Sequence, residues 1–471
     1  MARAQIVIIG AGIGGLTAAV RLASAGVAVT VCEAQATPGG KLREIVLDAA
    51  HIDAGPTVFT MRPVFERIFA EAGTRLEDHI TLEPLDILAR HAWDDGARLD
   101  LYADPARNEA AITAFAGAEA GRGYAKFAAR AAKIYETLDA SFMQAPQPGL
   151  LGLMRHAGPG LLSISPFASL WEELGKFFPD PKLRQLFARY ATYCGSSPFA
   201  APATLMLIAH AERLGVWAVK GGMFQLALAL FGLAESRGAV FRYNTKVTDI
   251  ITKNGAAAGV RLAGGEVLAA NAVIANADLA ALDAGLFGAG AKTAVAGMMR
   301  GATRSFSAMT WACTGTATGF PLSHHNVFFS NDYQAEFAEL ARGELPSDPT
   351  VYVCASATGQ FFCLVNAQAG SADEPEYFNH VLAKLQRCGL TLTPDKVRHT
   401  GPGEFGQKFP GSGGALYGRA LAGWKDSFDR PGSKTRLPGL YLAGGAVHPG
   451  PGLPMAAQSG RLAAAAVLGA L

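Results

Sequence analysis

The sequence is short of charge. Lys, Arg, Asp and Glu make up 17% of its 471 residues, against about 25% in ordinary soluble domains, and the formal net charge is only +2. A hydrophobic fraction of 50% excludes a disordered chain, and the near-neutral balance leaves no electrostatic footprint for nucleic acid. The six cysteines, at 32, 194, 313, 354, 363 and 388, contain no Cys-x-x-Cys pair. They read as small buried hydrophobes in a reducing compartment, not as a disulfide frame or zinc site. None of the ten histidines falls in a His-Glu-x-x-His pattern, so no metal is expected. No apolar run reaches the roughly 18 uninterrupted residues of a spanning helix, so the chain is not expected to be integral to a membrane. The run from Ile6 to Val20 behind Arg3 has the look of a secretory leader, but its glycines have another use. The basic residues Lys425, Arg430, Lys434 and Arg436 are expected on a solvated loop, with anionic lipid headgroups as the alternative contact.

What the chain does have is an α/β pattern. Ile6–Ile9 is a short β-branched run suited to a buried parallel strand, a glycine turn and a helix to Ala25 follow, and Val27–Glu33 is the next strand. Helices are expected at 63–72, 108–137 and 181–193, the last started by Asp180 and Pro181. Strands are expected at Val240–Val247, Val267–Ala275, 305–314, 327–330, 350–355 and 361–366. The chain closes with a strand at Leu440–Ala443, a Gly/Pro loop and a helix from Met455 to Leu468. This order implies one discontinuous Rossmann-like nucleotide domain (1–75, 215–290 and 405–471) with an inserted α+β substrate domain (76–214 and 291–404). The segment 141–179 is different in texture, rich in Pro, Gly and Leu, and without Lys, Arg, Asp or Glu from 156 to 171.

The chemistry concentrates at the two ends. In Gly10-Ala-Gly12-Ile13-Gly14-Gly15 the first glycine permits a tight turn, the second lets backbone approach a pyrophosphate, and Gly15 lets helix and strand pack. Glu33, 23 positions after Gly10, sits where a carboxylate accepts both hydroxyls of an adenosine ribose, which leaves FAD or NAD as the ligand. Gly39-Gly40-Lys41 and Asp53-Ala-Gly55-Pro56-Thr57 follow. Near the other end, Gly444 and Gly445 end a strand, and Pro449-Gly-Pro-Gly-Leu453-Pro-Met455 opens a helix, the same strand–loop–helix logic again.

These motifs, in this order, together with Trp217 ahead of Gly221-Gly222-Met223 and with Ala275-Asn-Ala-Asp278, resemble the bacterial phytoene-desaturase-type carotenoid desaturases, a branch of the amine-oxidase-like flavoproteins. The likeness covers essentially the whole chain. Phe409-Pro-Gly-Ser-Gly-Gly-Ala-Leu-Tyr417-Gly-Arg419, Phe428 and Arg430-Pro431 look most like the 1-hydroxycarotenoid 3,4-desaturases. Lysine at 41, where many relatives carry arginine, keeps a cation near the flavin. By motif position the resemblance implies FAD contacts at Gly10, Gly12, Gly15, Glu33, Gly40, Lys41, Val247, Gly444 and Met455. The same stretches carry Ile13, Gly14, Gly55, Pro56, Thr57, Gly445 and Leu453 to the cofactor. It also implies desaturation of an acyclic C40 carotenoid, with phytoene desaturase or carotene ketolase chemistry as the alternative and a non-catalytic isoprenoid escort as another class. Asp53 is the nearest candidate acid or base, a structural role being the favoured reading. Trp217, Phe306, Trp311, Phe329 and Tyr417, with Phe328 and Phe361, are expected near a long apolar channel, and by their place in the motif Tyr417 and Arg419 are the expected donor or acceptor for a hydroxylated end group. A lipid-borne substrate implies monotopic contact of 141–179 with an inner or photosynthetic membrane from the cytoplasmic side, and quinone or oxygen as final electron acceptor.

Overall fold

The four residues Ile6–Ile9 lie at the centre of a five-stranded, all-parallel sheet. In the computed structural model, which describes residues 4–146, 168–423, 426 and 428–471, its order is Leu440–Leu442, Ala272–Ala275, Gln5–Ile9, Ala28–Cys32, Val240–Arg242. Alternation sends Ile6 and Ile8 to one face and Val7 and Ile9 to the other, and both faces are covered. Helices Ile13–Ser24, Phe224–Ser236 and Leu453–Leu468 pack on the first face. A three-stranded antiparallel sheet, Val247–Lys253, Ala256–Leu262 and Val267–Ala269, covers the second. The expected continuous strand Val240–Val247 is therefore two strands in two sheets. Asn244, at φ +52°, turns the chain between them. Val267–Ala275 is divided likewise, at Ala270 and Asn271.

The second sheet has seven strands, in the order Thr391–Thr400, Ser307–Thr318, Gln360–Ala367, Val351–Ala357, His325–Phe328, Ile87–Ala92, Arg98–Tyr102. All pairs are antiparallel except that between His325–Phe328 and Ile87–Ala92. One face buries Trp311, Cys313, Phe361, Cys363 and Val365 against helix Phe378–Arg387. The opposite face looks toward a helical cluster, built on Pro105–Leu138, Pro181–Ala188 and Leu207–Arg213. The long helix breaks at Ala116 and Gly117, where Gly117 takes φ +89°. The expected helix 181–193 turns into a 3₁₀ helix at Arg189–Cys194. Most of the apolar segment 141–179, namely 147–167, lies outside the described residues. Among the described residues no helix is long and apolar enough to cross a membrane. All six cysteines are free and buried.

One buried acid ties the helix Tyr333–Ala341 to the sheet edge. Glu336 accepts hydrogen bonds from Ser330 Oγ (2.6 Å), Thr350 Oγ1 (2.7 Å) and Thr350 N (3.1 Å). Burial nevertheless raises its carboxyl from 4.5 to about 7, the hydrogen bonds opposing the rise. A folded value above the unfolded one means its contribution is complete below pH 4.5 and is lost as pH rises through 7. Against Glu336→Gln, the wild type is expected to lose on the order of 3 kcal/mol of stability between about pH 5 and 8 in urea titrations. Parallel pH profiles for the two proteins would refute this.

Candidate functional site: two glycine loops and a cavity

Each end of the chain delivers a strand, a glycine turn and an uncapped helix start. Gly10 takes φ +92°, and helix Ile13–Ser24 begins on Gly12 with no side-chain cap and no acid in its first turn. Gly444 and Gly452 take φ +106° and +103°, and helix Leu453–Leu468 begins on Gly452, equally uncapped and without acid. Uncapped N–H groups at a helix start favour an anion.

The two loops meet. A β-carbon at Gly14 would lie 2.8 Å from the Gly444 nitrogen and 3.1 Å from the Ala456 carbonyl oxygen. One at Gly460 would lie 2.0 Å from the Gly14 carbonyl oxygen. Asn276 fills the seam: its Nδ2 donates to Gly10 O at 3.1 Å, and β-carbons at Gly12, Gly14 or Gly444 would come within 3.1, 2.7 and 2.9 Å of its amide. Ser459 Oγ accepts from Gly444 N at 2.6 Å. Glu33 is buried and accepts from Ala11 N (2.7 Å) and Gln35 N (2.8 Å), one on each oxygen. Each oxygen keeps a lone pair for a ribose hydroxyl. A side-chain-free cradle, two anion-seeking helix ends and a ribose-height acid fit a dinucleotide.

The remaining motif residues divide. A β-carbon at Gly40 would meet Gly12 Cα at 3.1 Å, and one at Gly55 would meet Lys41 O at 1.9 Å, so both glycines are needed for close backbone approach. The Lys41 ammonium donates to Leu416 O and lies 5.3 Å from the Phe409 ring centroid. Burial lowers its pKa, and Asp278 offsets part of that. Gly445 accepts from Arg430 through its carbonyl, at 3.1 Å. Val247 is buried between the parallel sheet and its antiparallel cover, against Leu262. Asp53 accepts from Met223 N (2.8 Å) and Phe224 N (3.3 Å), which makes it an anchor for the start of helix Phe224–Ser236. Asp53→Ala would strand two buried N–H groups, so a loss of about 2–4 kcal/mol is expected in chemical denaturation. Asp53→Asn, which retains one acceptor, should lose less.

Between the second glycine loop and the seven-stranded sheet lies a mainly apolar cavity of about 410 Å³. Lys41, Gly55, Pro56, Thr57, Leu453 and Met455 are on its wall. Of the aromatic residues expected there, Tyr417 alone lines it. Trp311 instead stacks on Phe378 across the far face of the sheet (5.1 Å), Phe329 on Trp93 (5.1 Å), and Trp217 packs edge-on to Phe59 (6.2 Å). Phe306 packs against Phe337 (5.9 Å), and Phe328 and Phe361 belong to the same far core as Trp311. For Trp311, Phe328 and Phe361 strand parity is the reason: Thr310, Phe362, Leu364, Tyr352 and Val327 take the inward positions. Arg419 is buried off the wall, ion-paired to Asp426 at 3.4 Å. Arg430 corrects the expectation of a solvated basic loop. It is 3% exposed and lines the cavity, donating to the carbonyls of Tyr417, Arg419 and Gly445. Burial lowers its pKa to about 10. Lys425 lies outside the described residues.

A profile of the family described as flavin containing amine oxidoreductase matches residues 13–468. The chain belongs to this family. Its cofactor is accordingly FAD. Among curated relatives of this flavoprotein, the hydroxyneurosporene desaturase of Rubrivivax gelatinosus is 48% identical over 98% of the chain and 92% of the relative. That of Cereibacter sphaeroides is 44% identical over 98% and 97%. The phytoene desaturase of Neurospora crassa is 31% identical over 98% and 84%. Among solved structures, putrescine oxidase bound to putrescine superposes with a TM-score of 0.65 at 15% identity, covering 99% of each chain, a likeness of fold.

In this flavoprotein the residues whose role motif reading leaves open are those whose role is set by contact. Asn276 is visible in the sequence only as part of Ala275-Asn-Ala-Asp278. Its position just after a central strand, beside the strand that opens the first glycine turn, is the available signal. Arg430 is visible only as part of Arg430-Pro431, and a cluster of two arginines and two lysines reads as surface.

Proposed function

We propose that this FAD enzyme dehydrogenates an acyclic C40 carotenoid, at the C-3,4 bond of a 1-hydroxy- or 1-methoxy-carotenoid such as hydroxyneurosporene. The observation that carries the reading is the 41–48% identity, over nearly the full length, to three relatives named hydroxyneurosporene desaturase. The apolar cavity, bounded by the second glycine loop, Lys41 and the Ala54–Thr57 turn, supports it.

When bound, FAD would supply the hydride acceptor, with a quinone or oxygen as the proposed final electron acceptor. The chain's own part is to hold a CH2–CH2 pair beside the ring, dry it, and remove a proton. Apolar walls at Leu205, Ile208, Leu364 and Phe362 exclude water. Positive charge left on the substrate spreads along the polyene, so a strong base is not required. A hydrogen-bonded chain orders this part of the wall: Thr57 Oγ1 is 2.7 Å from Tyr352 Oη, which is 2.7 Å from His325 Nδ1. Burial, with His324 and Arg189 nearby, keeps His325 neutral.

Incubating the purified protein with 1-hydroxyneurosporene and with phytoene tests the reading. A red-shifted, longer-conjugated product from the hydroxylated substrate alone is expected. Desaturation of phytoene alone would overturn it in favour of the alternative.

A substrate dissolved in lipid calls for peripheral contact with the cytoplasmic side of a membrane, and the charge-poor segment 141–179 is the proposed contact. The protein is expected to sediment with liposomes, and deletion of 146–168 to abolish this while flavin stays bound. Unchanged sedimentation would remove the idea.

A further inference from the structure

The cavity is apolar over most of its wall, yet one part of it holds a buried ion pair. Arg189 and Glu212 are each 4% exposed, and Arg189 Nη2 approaches Glu212 Oε2 at 3.3 Å. Tyr190 Oη donates to Glu212 Oε2 at 2.7 Å, and Tyr193 Oη to Glu212 Oε1 at 2.8 Å. Arg189 Nη1 also donates to Tyr193 Oη. Three members, Arg189, Tyr193 and Glu212, reach the cavity wall.

Such a group is an expensive way to fill a core. Hydrophobic residues of equal volume serve as well or better where only stability is at stake. It is also incompletely satisfied. Among the described residues nothing accepts a hydrogen bond from the buried Arg189 Nε. Glu212 has taken three donors where a carboxylate offers about four sites. One donor and one acceptor are therefore spare, on two paired residues that both reach the wall of an apolar cavity. A hydroxyl group has this complement: it accepts one hydrogen bond and donates one. An ether oxygen satisfies the donor alone, and a hydrocarbon end satisfies neither.

We infer that Arg189, Tyr193 and Glu212 form the subsite that recognises the oxygen on C-1 of the carotenoid, and so select oxygenated over hydrocarbon ends. This rests on the C-3,4 desaturation proposed above and adds to it a specificity site. The chemistry links the two. C-3 is two bonds from C-1, so a fixed oxygen also fixes the reacting bond to within a few bond lengths. The cluster stands close to the cofactor side of the cavity. Tyr193 lies near enough to Tyr352 to oppose its ionisation, and Tyr352 is hydrogen-bonded to Thr57 in the Gly55–Thr57 turn.

The test compares kcat/KM for 1-hydroxyneurosporene, its 1-methoxy ether and neurosporene, in wild type, Tyr193→Phe and Glu212→Gln holoenzymes. Flavin content and melting temperature are followed alongside. The wild type should prefer both oxygenated substrates to neurosporene. In Tyr193→Phe that preference should fall about tenfold or more, since a site built for a hydroxyl discriminates through the groups left unpaired. In Glu212→Gln the preference for the hydroxylated substrate should fall more than that for the ether. In both variants the loss on neurosporene should be smaller than the loss on the oxygenated substrates. Unchanged preference in variants that retain flavin, or equal losses on all three substrates, overturns the subsite and leaves the proposed reaction standing. A wild type that does not act on the hydroxylated substrate overturns both. Should Tyr193→Phe lose its flavin, Glu212→Gln carries the same comparison: a fallen preference supports the subsite and an unchanged one overturns it.

Discussion

Gly460→Val is expected to produce a colourless protein. Gly460 lies in the middle of helix Leu453–Leu468, with no motif to mark it. Its helix crosses Ile13–Ser24 so closely that a β-carbon would sit 2.0 Å from Gly14 O and 2.8 Å from Gly14 C. Both obstacles are backbone, which no side-chain rotation relieves. The helices must part, and they carry the two glycine loops with them. Asn276, which bridges the seam through Gly10 O, then has no fixed partner. Each loop loses its alignment with the other, so FAD should be retained at least 100-fold less tightly, read as the flavin to protein absorbance ratio after gel filtration. Gly232→Ala is the control. It lies on helix Phe224–Ser236, and a β-carbon there meets nothing within 4 Å. That variant should keep its yellow colour and gain up to about 1 kcal/mol of stability. Full flavin occupancy in Gly460→Val would show that the two loops do not depend on this helix crossing.

Arg430→Met is expected to be the most destabilising single change at the site, by about 3–5 kcal/mol. The guanidinium is buried and engages three carbonyl groups, those of Tyr417, Arg419 and Gly445. Methionine fills much of the volume but leaves all three acceptors without a donor. One of them, Gly445, belongs to the second glycine loop, and the other two to the chain that passes Lys41. A chemical denaturation midpoint well below wild type, with flavin loss preceding global unfolding, is the expected pattern. Arg430→Lys should recover little, because an ammonium cannot span divergent carbonyls as a planar fork does. A stability within about 1 kcal/mol of wild type would contradict the role assigned to these bonds.

How much is legible in the sequence follows from what each signal depends on. The β-α-β start and the closing strand–loop–helix can be read because their constraints are local. An apolar run of four, a glycine where φ must be positive and an acid at the next strand end all fall within about 30 residues. That distant segments share one parallel sheet also follows from the order of elements, since parallel neighbours need crossovers. The cavity wall is not legible. Ser307–Thr318 is buried on both faces along most of its length, so hydrophobicity does not say whether Thr310 or Trp311 points inward, and the bulkier residue is the poorer guide. Arg189, Glu212 and Arg430 escape for the opposite reason. They are charged residues in ordinary-looking stretches, and only the partners that surround them reveal burial. The strand Thr391–Thr400 is hard to see because half of its residues are exposed and polar, as an edge strand's usually are.

The sheet order has a consequence for biosynthesis. Asn276 and Gly10, bonded across the cofactor seam, are 266 positions apart, and the edge strand Leu440–Leu442 comes later still. A ribosome releases the amino-terminal strand–turn–helix–strand unit first, with Ala28–Cys32 beside Gln5–Ile9, but the strand on its other side, Ala272–Ala275, follows only past mid-chain and the opposing loop near the end of the polypeptide. Flavin capture is therefore an event of the finished chain. While the chain is still growing, one edge of the oily central strand stands open, a hazard that puts a premium on chaperone shelter during translation.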